Sequence, residues 1–144
     1  MARLRWVESA FAATQGTLEA LAEYVVADAK LAAATTPRLI RTLDRFLPGP
    51  QPLSATAASI LDGAAAQVKP GATFARLTRA QKAQVFVTLE RLPVESAGSI
   101  RFLVGNLQDL TAFLAYSTPR GRRLARFAPG AHGHKELKGY WRAP

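Results

Sequence analysis

Apolar residues recur at helical spacing along most of the chain, and proline and glycine mark the interruptions. Leu4, Val7, Phe11, Leu18, Leu21 and Val25 lie three, four or seven positions apart, with Thr14 completing the row. This spacing predicts a first amphipathic helix over residues 4–34. Gly16-Thr17 is a point for a kink in it, because a glycine inside a helix costs about 1 kcal/mol relative to alanine. Thr35-Thr36-Pro37 reads as a stop and a restart. Thr36 would cap a second helix with Pro37 in its first position, running to Phe46 and burying Leu39, Ile40, Leu43 and Phe46.

Three prolines in Pro48-Gly49-Pro50-Gln51-Pro52 rule out a helix there and predict a rigid connector. Ser54 is the candidate cap of a third helix over residues 54–68, with Ala57, Ile60, Leu61, Ala64 and Val68 as a thin apolar line. Lys69-Pro70-Gly71 ends it. Thr78 and Gln81 have the spacing of a capping box, in which a side chain at each end satisfies an orphan backbone donor of the other. A fourth helix follows to residue 92 with Val85, Phe86, Leu89 and Leu92 inward and Lys82 and Glu90 outward. After Pro93, residues 97–116 carry the strongest apolar pattern: Ile100, Leu103, Val104, Leu107, Leu110, Phe113 and Leu114. That face is wide enough to meet more than one neighbour. Ser117-Thr118-Pro119 terminates the fifth helix. The expected architecture is therefore all-α, about five main helices in an irregular bundle over residues 1–118. An irregular, extended C-terminal arm follows over residues 119–144.

Composition agrees with that class. The 144 residues include 28 Ala and 18 Leu against 8 Val and 3 Ile, so straight-chain helix formers outnumber β-branched strand formers. A single domain of this length buries enough surface to hold together without staples. The absence of Cys excludes a disulfide framework, a Cys-ligated metal and a Cys nucleophile. Asp28, Lys30 and Asp109 interrupt the longest apolar runs, so no membrane span is expected. Glu8 stands where a signal peptide needs its apolar core, and the N-terminus has no twin arginine, so the sequence reads as a non-exported, cytoplasmic chain.

The charge is unevenly spread. The formal net charge is +9, and the last 26 residues carry 7 basic side chains against 1 acidic one, two thirds of that excess. Arg120, Arg122, Arg123, Arg126, Lys135, Lys138 and Arg142 lie there with Phe127, Tyr140 and Trp141 among them. Three readings stay open at this point: an arm that stacks on and neutralises nucleic acid, an arm that wraps a larger acidic protein, or a solvated tail. The basic residues form no single helical stripe, and no helix-turn-helix signature precedes them.

Catalytic constellations do not emerge from the sequence. Phosphate-binding glycine loops, a nucleophile elbow and Glu-x-x-His pairs are absent. His132-Gly133-His134 has Glu136 as its only nearby carboxylate, a poor metal site. No catalytic, cofactor-binding or metal residue is assigned, and no active site is expected of this chain alone.

Several segments taken together resemble the gluconate 2-dehydrogenase subunit 3 family over about residues 40–141. They are Phe46-Leu47-Pro48, Ile60-Leu61-Asp62 in an Ala-rich helix, and Phe74-Ala75-Arg76-Leu77-Thr78 leading to Gln81. Ala115-Tyr116-Ser117-Thr118-Pro119 and Gly139-Tyr140 complete the set. The resemblance implies a non-catalytic small subunit that clasps and stabilises an FAD-dependent catalytic subunit of the glucose–methanol–choline type, with the flavin and the hydride chemistry in that partner. The implied substrate is a sugar, glycoside or alcohol hydroxyl, and some such complexes add a cytochrome or other electron-transfer subunit. Many members carry a twin-arginine leader; here a periplasmic location would require co-export with a signal-bearing partner. The candidate partner contacts are Arg122, Arg126, Phe127, His132, Tyr140 and Trp141. The alternative is a basic helical protein that binds nucleic acid through its arm.

Overall fold

The computed structural model describes residues 2–125, with side chains from Leu4 onward. Six α-helices follow one another: α1 Ala2–Val26, α2 Ala29–Phe46, α3 Leu53–Val68, α4 Arg79–Glu90, α5 Val94–Tyr116 and a short α6 Pro119–Leu124. A 3-10 turn at Phe74–Arg76 precedes α4. There is no strand among the described residues, and the all-α class is the one the apolar spacing predicts.

The first helix ends earlier than its periodicity suggests. Ala27 takes a left-handed backbone conformation (φ 55°), and the Asp28 carboxylate accepts the Leu31 N–H at 2.6 Å to cap a new helix. Asp28, not Thr36, therefore starts α2, and Pro37 lies inside it. The helix continues through Pro37 because the lost hydrogen bond falls on the wet side: Pro37 and Ala33, whose carbonyl it leaves unpaired, are both exposed. On the opposite side Leu31, Ala32, Leu39 and Ile40 are buried. Thr35 and Thr36 are buried with them, their hydroxyls donating to the Leu31 and Ala32 carbonyls at 2.7 and 2.8 Å. Packing of this face outweighs the roughly 3 kcal/mol that an interior proline costs. No break occurs at Gly16, which α1 passes through.

The proline-rich connector is closed by a side chain from α2. Ser54 is not the cap of α3; its N–H donates to Asp44 Oδ1 at 3.0 Å, so an acidic residue in the last turn of α2 satisfies one of the orphan donors. The α4 capping box is formed in both directions, at 3.0 and 3.2 Å. Helix α5 begins one turn before the predicted residue 97, where Ala97 (φ −138°) marks a kink.

Asp62 ties three elements together. Its carboxylate accepts the Thr17 hydroxyl of α1 at 3.0 and 3.2 Å and the Phe74 N–H at 2.9 Å. Phe74 is thereby seated at the centre of the core, fully buried, edge-on to Phe86, which stacks on Tyr24 at 5.4 Å. Around it lie Leu18, Leu21, Leu39, Leu61, Val85 and Leu107.

Residues 119–124, read from sequence as the start of an extended arm, form α6 instead. The Thr118 hydroxyl accepts the Gly121 N–H at 3.0 Å, and Pro119 occupies the first turn, the same pair that reads as a terminator of α5. Gly121 lies against the end of α5, where a side chain at Gly121 would collide with the Ala115 carbonyl and reach Tyr116 Cα at 2.7 Å.

Candidate interaction surface

Two apolar surfaces are left uncovered, and each follows from how the helices end. Ala27 and Asp28 turn the chain back on itself, so α1 and α2 form a hairpin. At about 1.5 Å per residue, the 25 residues of α1 outrun the 18 of α2 by roughly 10 Å. The excess is at the N-terminal end, where residues 4–13 are all exposed. Leu4, Trp6, Val7 and Phe11 in this overhang are between 55 and 72% exposed. Leu4, Val7 and Phe11 continue the row that buries Leu18 and Leu21 further along the same helix, and Trp6 lies off that row.

The second surface is a groove of about 710 Å³ between the C-terminal half of α2, the first turns of α3 and α5. Residues Ser99, Phe102, Asn106, Asp109 and Phe113 of its wall follow a three-four spacing on α5, a row about 21 Å long that no neighbouring helix covers. Leu43, Leu103 and Leu107 form its floor. Phe46 and Leu47 stand at its rim because the Asp44–Ser54 bond folds the connector tightly behind them. Phe46 is 77% exposed and Phe102 and Phe113 are 69% exposed, so Phe46 and Phe113, expected in the core, belong to the surface. Asp109 is the one charged residue among the described residues that line the groove.

Polar chemistry is sparse. Among the described residues no three His, Asp or Glu side chains gather as a metal site, and no buried side-chain N or O lacks a hydrogen bond. The ion pair among these residues joins Arg120 to Asp28 at 3.5 Å, fastening α6 to the α1–α2 turn. The Leu31 N–H foremost, with the Arg120 charge assisting, holds the Asp28 carboxyl below its ordinary range. No described helix is long and apolar enough to cross a membrane.

Of the sequence-predicted contact residues, Arg122 is placed: it is exposed on α6 and donates to the Ser117 carbonyl at 3.0 Å. Arg126, Phe127, His132, Tyr140 and Trp141 lie outside the described residues. Sequence reasoning misses Trp6, Phe46, Leu47 and Phe102 as surface residues. The available signal is the width of the apolar face on the fifth helix, more than one neighbour can cover.

Neither a family model, nor a curated protein, nor a solved structure matches this chain.

Proposed function

We propose that this protein is a non-catalytic small subunit that binds and stabilises the FAD-dependent catalytic subunit of a sugar, glycoside or alcohol dehydrogenase. The observation that carries the reading is the uncovered apolar face of α5, with Phe102 and Phe113 standing out of it beside Phe46 and Leu47. A chain this small gains nothing as a monomer from displaying a continuous apolar groove, and such patches mark interaction sites. Two of the motifs that resemble the gluconate 2-dehydrogenase subunit 3 family reach this face: Phe46 and Leu47 stand at its rim, and Ile60 lines it. On this reading the partner holds the flavin and takes the hydride from the substrate hydroxyl. The present chain supplies apolar grip, and its basic arm supplies charge that steers association.

The test is co-expression with the flavoprotein encoded beside it. Co-purification of a yellow, FAD-containing partner, lost when Phe46 and Phe102 are both changed to Ser, is the expected result. A chain that purifies without any flavoprotein and is retained on DNA in a steeply salt-dependent way overturns it in favour of nucleic-acid binding through the arm.

A further inference from the structure

The two uncovered surfaces do not cover one another within one copy, because α1 is one continuous helix whose residues 4–13 are all exposed. We propose that the free chain forms a two-fold dimer in which the overhanging first turns of α1 from each copy lie in the α2–α3–α5 groove of the other.

Three observations select a second copy as the occupant. The first is shape. An apolar helix in a groove is read by anchors at i, i+3 and i+7, the spacing of Leu4, Val7 and Phe11. These anchors span roughly 10 Å, within the roughly 21 Å of open α5 wall. The second is charge. The groove wall offers Asp109, opposite in sign to Arg5 of the overhang, whose other described charge is Glu8. No Lys or Arg among the described residues lines the groove to oppose Arg5.

The third is area. A fully buried aromatic side chain encloses ~150–250 Å², so the row of Leu4, Val7 and Phe11, between 55 and 69% exposed, supplies roughly 400 Å². The groove loses about as much. A single insertion thus buries roughly 800 Å² in total, short of the ~1,200 Å² at which specific interfaces begin. Two reciprocal insertions bury roughly 1,600 Å², the size of a standard interface. This arithmetic disfavours a lone helix of some other protein and favours a closed, self-complementary pair, in which every copy gives one helix and receives one. The pairing concerns the free chain and does not depend on the flavoprotein reading; a flavoprotein that uses the groove would open the pair.

The test is light scattering coupled to gel filtration on the full chain alone, from about 1 to about 100 μM. Twice the chain mass at the upper end is expected. The double change Val7→Glu/Phe11→Glu and the single change Phe102→Glu should each weaken pairing by about 30-fold or more, the loss of an aromatic anchor. All three positions are exposed, so helix content and thermal midpoint should not move. Mixing the two variants should restore a weaker mixed pair, since one insertion remains intact. Because the chain has no Cys, introduced cysteines give a second readout: Phe11→Cys and Phe102→Cys in one chain should oxidise to a covalent dimer. A monomer at all concentrations overturns the proposal, as does a dimer indifferent to both variants or one abolished only by removing residues 126–144. Co-purification with the flavoprotein is read separately, so failure of the pairing and failure of the functional reading are distinguishable.

Discussion

Removing the Asp62 carboxylate tests the claim that one side chain joins α1, α3 and the turn before α4. In Asp62→Ala, the Thr17 hydroxyl and the Phe74 N–H both lose their acceptor. Thr17 and Phe74 are buried, so water replaces that acceptor poorly. Hydrogen bonds to a charged group contribute about 1.5–3 kcal/mol each. Asp62 is itself half-buried, which puts each bond at the lower end and the total near 3 kcal/mol. For a chain of this length that corresponds to roughly 10 °C in thermal midpoint. Urea denaturation followed by helix circular dichroism measures it. A second change separates the two bonds: Thr17→Val should cost about 1–1.5 kcal/mol, and Asp62→Ala made in that background should cost less by about the same amount. A loss below about 1 kcal/mol for Asp62→Ala, or equal losses with and without Thr17, would refute the account of Asp62 as the joint.

Other perturbations reach different parts of the fold. Gly121→Ala should detach α6 from the end of α5, because its methyl would meet the Ala115 carbonyl and the Tyr116 backbone; faster amide exchange confined to residues 118–125 with the core intact is the expected signature, and unchanged exchange there refutes it. Thr78→Ala removes one half of the capping box and should lower stability by about 1 kcal/mol in urea. Ala27→Gly relieves a left-handed alanine and should raise stability by about 0.5–1 kcal/mol, the strain relief exceeding the entropy gained by the unfolded chain. The Asp28 carboxyl is held below its unfolded value near 3.9. Its stabilisation is therefore present above about pH 4 and lost as pH falls through the lower, folded value. Asp28→Asn should narrow its stability gap from the native chain as pH falls from 5 to 2; a constant gap contradicts this.

Much of the fold is legible in the sequence because local signals and burial agree. The capping box at Thr78 and Gln81 and the buried Val85, Phe86 and Leu89 follow from residue spacing alone. The boundary between α1 and α2 does not. Asp28 sits among alanines and valines that any helix accepts, while Thr36-Pro37 has all the marks of a restart. What decides between them is tertiary: Thr35 and Thr36 lie on a face whose burial holds the helix together across Pro37, and Pro37 itself meets water. A terminator and an initiator are also written with the same residues, so Ser117-Thr118-Pro119 closes α5 and opens α6 at once.

The surface is harder to read for a related reason. An apolar stripe states that a helix face prefers to leave water; it does not state which body covers it. In α1 a single stripe serves two environments, with Leu18 and Leu21 in the core and Leu4, Val7 and Phe11 beyond its edge. The mismatch in length between α1 and α2 leaves the first two turns of α1 without a neighbour along α2, and it becomes visible only once Asp28 is known to start the second helix. Helix α5 repeats the pattern around its circumference: Val104, Leu107 and Leu114 are buried, while Phe102 and Phe113 on the adjoining face are not. Both excesses have the same physical origin, helices longer or broader than the neighbours that this chain provides. Apolar surface left over in this way costs solubility, and it is retained where another surface covers it. The length of α1 and the breadth of α5 are therefore the two properties of this sequence that bear most directly on what it binds.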